Sequence, residues 1–110
     1  MPFSAQHLPQ APMREAVDQL QGSAVLEFGT PWCTHCQRAQ PLIEQALGTQ
    51  GGVQHIKVED GPGQPLGRSY RVKLWPTLVF LRNGAEVARV VRPQTVQDIQ
   101  QAMSALKAGA

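Results

Sequence analysis

The sequence has 110 residues, a length that favours one domain with a core large enough to fold without disulfide or metal staples. Its composition is ordinary for a globular protein, with 42% hydrophobic and 16% charged residues. The net charge of +2 gives no argument for binding nucleic acid, and no apolar run approaches the length of a membrane-spanning helix.

The first ten residues differ in character from the rest. They contain Pro2 and Pro9 and show little periodicity, so we expect residues 1–10 to form a flexible arm, with a short edge strand near Phe3 as an option. A single domain is expected over residues 11–110. The first thirty residues lack the basic and apolar regions of a secretion signal, and a lone cysteine pair suits a reducing compartment; we therefore expect a cytoplasmic location.

Hydrophobic periodicity predicts helices and strands that alternate along the domain. The predicted helices cover residues 11–20, 37–47, 66–70 and a last segment capped by Thr95; the predicted strands cover residues 24–29, 53–58, 77–81 and 86–91. Asn83-Gly84 predicts a hairpin, because these residues tolerate the positive φ angles of tight turns. The order indicates an α/β fold whose first two strands are parallel and whose last two form an antiparallel hairpin.

The only two cysteines lie in one stretch, Thr30-Pro31-Trp32-Cys33-Thr34-His35-Cys36, between a predicted strand and a predicted helix. At a helix start, unpaired N–H groups and the helix dipole favour the thiolate of Cys33, the species that attacks disulfides. Cys36 lies about one turn further in. We therefore predict a redox pair, with Cys33 the exposed nucleophile and Cys36 the buried thiol that resolves the mixed disulfide.

Two other interpretations of the cysteine pair are weaker. A zinc site needs four ligands, but there is no second CxxC, and the three histidines have no ligand-like spacing, so we expect no metal. A purely structural disulfide is the other option. A protonated His35 would favour the Cys33 thiolate and make the disulfide more oxidising, whereas an exposed His35 would have little effect.

The sequence resembles the thioredoxin family. The resemblance rests on the WCTHC stretch after an apolar strand, on Pro41 within the following helix and on Trp75-Pro76-Thr77 before the next strand. It implies a central mixed sheet flanked by helices on both faces and a cis Trp75–Pro76 bond beside the cysteines. It also implies that the backbone of residue 75 pairs with an extended substrate, and that Trp32 and Pro76 flank the site.

The resemblance also implies a buried carboxylate near the resolving thiol, and Glu27 is at that position. Such a carboxyl group can take the thiol proton directly or through water; a salt-bridged or edge-exposed Glu27 is the alternative. The family often adds a lysine from the next strand. Lys57 matches chemically, but His55 points to the same face, and the sequence leaves the choice open.

Three positions depart from the family pattern. Thr34-His35 replaces the Gly-Pro typical of thioredoxins and is similar to the more oxidising isomerases and oxidases. Trp75 is bulky, so it either narrows the substrate groove or serves packing. Arg92-Pro93 stands where the family has a glycine, which predicts a more basic and less permissive partner surface.

The expected function is that of a thiol-disulfide oxidoreductase that acts on protein disulfides and contributes to cell redox homeostasis. It would use no bound cofactor, because the cysteine pair carries the electrons. The resemblance implies a thioredoxin reductase-type donor, and we expect a monomer. The alternatives are a more oxidising oxidase or isomerase, and a binding module without enzymatic activity.

Overall fold

The computed structural model of the protein describes residues 3–8, 10–48 and 51–107. Helices and strands alternate within these ranges. The helices are α1 (Arg14–Asp18), α2 (Thr34–Gly48), α3 (Pro65–Ser69) and α4 (Val96–Lys107). The strands are β1 (Ser23–Gly29), β2 (Val53–Glu59), β3 (Thr77–Arg82) and β4 (Ala85–Val91).

The four strands form one mixed sheet in the order β2-β1-β3-β4. β1 runs parallel to β2 and antiparallel to β3, and β3 and β4 form the antiparallel hairpin. The predicted α/β fold is therefore confirmed. Helices cover both faces: Leu26 and Phe28 pack with residues of α1 and α3, whereas Val25 packs with residues of α2 and α4. Because helices cover β1 on both sides, most of its residues are apolar.

Three helix boundaries carry information beyond the sequence pattern. α1 is shorter than the predicted 11–20, because Met13 has an extended backbone and gives no side-chain cap. α2 begins at Thr34 rather than at residue 37, so the helix start includes Cys36. At α4, the Asp98 N–H donates to Thr95 Oγ1 at 3.1 Å, which confirms the predicted cap.

The described N-terminal residues 3–8 lie against β2. The N–H of Leu8 donates to the Lys57 carbonyl at 2.8 Å, and Phe3 stacks on the His55 ring with centroids 5.4 Å apart. Residues 1, 2 and 9 of the expected arm lie outside the described residues, and the boundary at residue 11 stays a prediction. The contacts of residues 3–8 place this segment beside the face of the sheet that carries Glu27.

The β3–β4 turn gives a test of the fold. Gly84 has a φ of 82°, and a Cβ there would collide with the Asp18 carbonyl oxygen; Gly52 has a φ of 79° and open space around it. We expect Gly52→Ala to lower the free energy of unfolding by about 1–2 kcal/mol through backbone strain alone. Gly84→Ala should cost roughly 1–3 kcal/mol more, because the collision adds to the strain. Urea unfolding of both variants measures the difference, and equal losses would contradict the steric argument.

Candidate active site

The two cysteines meet at the N-terminus of α2. Both are free thiols, and the backbone N–H of Cys36 donates to the Sγ of Cys33 at 3.2 Å. This is the helix-terminal donor that stabilises negative charge on the Cys33 sulfur. Cys33, for which we expected an exposed thiol, is only 9% exposed, against 3% for Cys36. Both cysteines are therefore almost covered, Cys33 slightly less than Cys36.

Cys36 sits in surroundings that oppose its ionisation. Burial, followed by the hydrogen bond with Cys33, raises the pKa of Cys36 to about 12; the negative charge of Glu27 adds to the rise, and a backbone hydrogen bond from Thr30 opposes it. A Cβ at Gly29 would lie 2.5 Å from the Cys36 Sγ, so β1 leaves room for this sulfur only with glycine there. At neutral pH Cys36 is a thiol, and it needs a proton acceptor before it can attack.

A buried carboxylate lies on the same face as α2. Glu27 is 1% exposed, and both of its oxygens accept hydrogen bonds. Oε1 accepts from His55 Nε2 at 2.9 Å, and Oε2 accepts from Gln40 Nε2 at 2.8 Å. The structure thus places His55, and not Lys57, in direct contact with Glu27.

Lys57 joins this cluster through an intermediary. Its Nζ donates to Gln40 Oε1 at 2.7 Å, and the amide nitrogen of Gln40 donates to Glu27 and to the Cys36 carbonyl, the latter at 3.1 Å. Glu27 and Lys57 are cross-strand partners in the parallel register, and Gln40 bridges their side chains. No sequence pattern singles out Gln40, although its position one helical turn after Cys36 points it toward the same face.

Two tryptophans border the cysteines. The Trp75–Pro76 bond is cis, Trp32 is 70% exposed, and the two indole rings meet edge to face with centroids 5.7 Å apart. Trp75 Nε1 also donates to Asp60 Oδ2 at 2.9 Å. The ring of Trp75 is therefore held from two sides, so it forms a fixed wall beside the site.

Arg92 reaches the backbone around the cis bond. Its N–H donates to the Pro76 carbonyl at 2.9 Å, and its Nε donates to the Trp75 carbonyl at 2.8 Å. Arg92 has a φ of 51°, the left-handed region that favours glycine. The Trp75 carbonyl thus already has a donor from within the chain. Thr34 and His35, which lie between the two cysteines in the sequence, are exposed.

Other kinds of site find no support in the described ranges. Among residues 3–8, 10–48 and 51–107, no group of three or more histidine, cysteine or acidic residues is placed to hold a metal ion. In the same ranges, every helix is too short or too polar to cross a membrane. The reactive groups of this site are the cysteine pair and the buried carboxylate of Glu27 with its hydrogen-bond partners.

Comparison with known proteins agrees with the fold and the site. The family model described as Thioredoxin matches residues 4–105. The solved structure of reduced thioredoxin 2 from Pseudomonas aeruginosa PAO1 is 50% identical, with 97% of this chain and 100% of that chain covered and a TM-score of 0.86. The chain belongs to the thioredoxin family.

Curated relatives include thioredoxins and protein disulfide-isomerases. Thioredoxin H2-1 of Oryza sativa subsp. japonica is 33% identical over 67 residues, which are 61% of this chain and 49% of that protein. Protein disulfide-isomerase A3 of Gallus gallus is 31% identical over 93 residues, which are 84% of this chain and 18% of that protein. The chain thus spans about half of the rice thioredoxin and a small part of the isomerase.

The environment of Cys36 predicts its titration. We expect its thiol to ionise with a pKa of about 12, and Glu27→Gln to lower that pKa, because the change removes a nearby negative charge that opposes the thiolate. Burial, the largest cause, persists in the variant, so the pKa should stay above that of an ordinary thiol. Thiolate absorbance measures the drop in a Cys33→Ser background, where loss of the Cys33 hydrogen bond and charge already brings the pKa of Cys36 below about 12; Glu59→Gln is the matched carboxylate control. A pKa that Glu27→Gln leaves unchanged would contradict the assignment.

Proposed function

We propose that the protein is a thiol-disulfide oxidoreductase that reduces disulfide bonds of protein substrates. The observation that carries the proposal is the asymmetric cysteine pair at the start of α2. Cys33 receives an N–H donor on its sulfur, whereas Cys36 is buried and protonated beside a carboxylate. Cys33 is therefore suited to attack a substrate, whereas Cys36 stays protonated until an acceptor takes its proton.

The first step is attack by Cys33 on a substrate disulfide. The Cys33 thiolate forms a bond to one substrate sulfur, and the substrate S–S bond breaks. The second substrate sulfur leaves with the electron pair and takes up a proton from water. The product is a mixed disulfide between Cys33 and the substrate, held at the N-terminus of α2.

The second step needs the thiol proton of Cys36 to leave. Glu27 accepts it, directly or through water. The Cys36 sulfur then bonds to Cys33, and the bond from Cys33 to the substrate breaks. This substrate sulfur leaves with the electron pair and takes up a proton from water, so two electrons have passed from the cysteine pair to the substrate.

Regeneration requires an external dithiol donor, and a flavin-dependent thioredoxin reductase is the class that family membership suggests. The pair itself carries the electrons, so we propose that no bound cofactor takes part. A monomer in the cytoplasm, with a part in cell redox homeostasis, completes the proposal. A lone CxxC in place of a stapling framework supports that location.

A second candidate runs the same chemistry toward oxidation or isomerisation. The match to the isomerase A3 over 84% of this chain favours it. The two candidates differ in the reduction potential of the Cys33–Cys36 pair. Titration against glutathione separates them, since isomerases are poised about 90 mV more oxidising than thioredoxins.

The proposed activity predicts different outcomes for the two cysteines. With a dithiol donor, the wild type should reduce insulin disulfides. Cys33→Ser should abolish turnover, because the attacking thiolate is gone. Cys36→Ser should stop after one step and accumulate a mixed disulfide that mass spectrometry detects. Full turnover by Cys33→Ser, or none by the wild type, would sink the proposal.

The contact of Arg92 with Trp75 predicts an effect on substrate binding. If substrate backbone pairs with residue 75, Arg92 competes for its carbonyl, and Arg92→Gly should lower the KM for a neutral peptide disulfide by roughly three- to tenfold. Arg71→Gly is the matched control, since Arg71 has a similar φ of 57°. A KM that falls equally in both variants would assign the effect to charge or backbone strain.

A further inference from the structure

The ring of His55 has a hydrogen-bond partner at each nitrogen. The backbone N–H of Ser4 lies 2.7 Å from Nδ1, and Glu27 Oε1 lies 2.9 Å from Nε2. A backbone amide can only donate, so Nδ1 must accept and cannot carry a proton. The proton of the neutral ring therefore sits on Nε2 and points at Glu27.

We propose that the N-terminal segment 3–8 is a working part of the redox site. The Ser4 N–H holds His55 as the neutral Nε2–H tautomer, so that Glu27 is the group that receives the Cys36 proton. In this arrangement Ser4 and His55 are positioning residues. They act through Glu27 and touch neither substrate nor the cysteine sulfurs.

The whole segment reinforces this contact. Phe3 stacks on the His55 ring, and the Ser4 Oγ donates to the His55 carbonyl at 3.2 Å. The next residue, Ala5, accepts from Lys57 Nζ at 2.9 Å. The segment thereby orients two basic side chains of β2. It gives His55 a hydrogen-bond donor, the Ser4 N–H, and it gives Lys57 an acceptor, the Ala5 carbonyl.

Few charged groups surround His55. Glu27 on β1 and Lys57 on β2 belong to the cluster, and Glu59 lies further along β2. On the segment itself, burial and the charge of Lys57 lower the pKa of His7, with Glu27 and Glu59 opposing. The side chain of His55 is fully covered, so a second proton on its ring would have to displace the Ser4 contact.

The tautomer matters for the resolving step. With a neutral His55, the Glu27 carboxylate accepts two neutral hydrogen bonds and has no adjacent imidazolium. If Nδ1 were free to take a proton, the positive ring would hold Glu27 as an ion pair and weaken it as a proton acceptor. Transfer of the proton from Cys36 to Glu27, and then bond formation between Cys36 and Cys33, would slow.

Ser4→Pro tests the proposal because proline has no backbone N–H. Ser4→Ala is the matched variant: it loses the Oγ contact but keeps the N–H. The ¹⁵N NMR spectrum of labelled histidine reports which ring nitrogen of His55 is protonated, with His55→Gln to assign the signals. In a stopped-flow measurement, reduced protein is mixed with a small aromatic disulfide: Cys33 forms the mixed disulfide and releases one aromatic thiol, and release of the second aromatic thiol reports the resolving step.

We expect the wild type and Ser4→Ala to show a bare Nδ1 and a protonated Nε2, and Ser4→Pro to gain a proton on Nδ1. The resolving step of Ser4→Pro should slow by roughly three- to tenfold, while alkylation of Cys33 by iodoacetamide keeps its rate. An unchanged tautomer in Ser4→Pro, or a changed tautomer with an unchanged resolving rate, would overturn the proposal.

Phe3→Ala gives the second variant if Ser4→Pro fails to fold. It loses the ring that stacks on His55 and so loosens the segment, and the same tautomer change and the same slowing are expected to a smaller extent. The inference rests on the proposed dithiol chemistry, yet the tautomer is read without any substrate. A wild type that reduces no insulin but shows the expected tautomer would sink the proposed function and leave the Ser4 contact standing.

Discussion

The structure depends on one constraint: an ionisable side chain lies in the middle of the central strand. Removing a carboxylate from water costs several kcal/mol unless it is paired, so the surroundings of Glu27 must supply partners. They come from different parts of the chain: His55 from the neighbouring parallel strand and Gln40 from the crossover helix. Ser4, outside the sheet, holds His55 in place. The register of β2, the position of α2 and the N-terminal segment therefore all contribute to the hydrogen bonds that Glu27 requires.

The same constraint explains why two thiols three residues apart behave differently. Cys33 precedes α2 and receives the donor that a helix start offers, whereas Cys36 is one turn deeper, above Gly29 and near the buried carboxylate. Burial and negative charge keep Cys36 protonated. The carboxylate that makes ionisation of Cys36 harder is also the group proposed to accept its proton, so Glu27 would both restrain this thiol and allow it to react.

Much of this arrangement could be predicted from the sequence, because it follows local rules. The apolar run of β1, the Asn83-Gly84 turn, the Thr95 cap and the cysteine pair each carry a short-range signal. Gln40, Ser4 and Asp60 carry none. Each is a polar residue of a kind that normally faces water, and each acquires its role from a partner 13 or more residues away. Periodicity cannot indicate such partners, because it describes one element at a time.

On two sides of the site, groups of the same chain already occupy the hydrogen-bonding positions, and the consequences of the two sides differ. On the interior side, Ser4 and Ala5 complete the hydrogen bonds of β2, and no substrate needs to displace them. On the outer side, Arg92 occupies the Trp75 carbonyl, and a substrate that pairs with this backbone must move it. An arginine is suited to such a contact, because its long side chain can swing to an acidic group on the partner without exposing an unpaired buried charge. In the proposed function, selectivity among partners is assigned to the surface around Arg92 and proton transfer to the interior around Glu27. The two depend on different residues, so each can vary without the other.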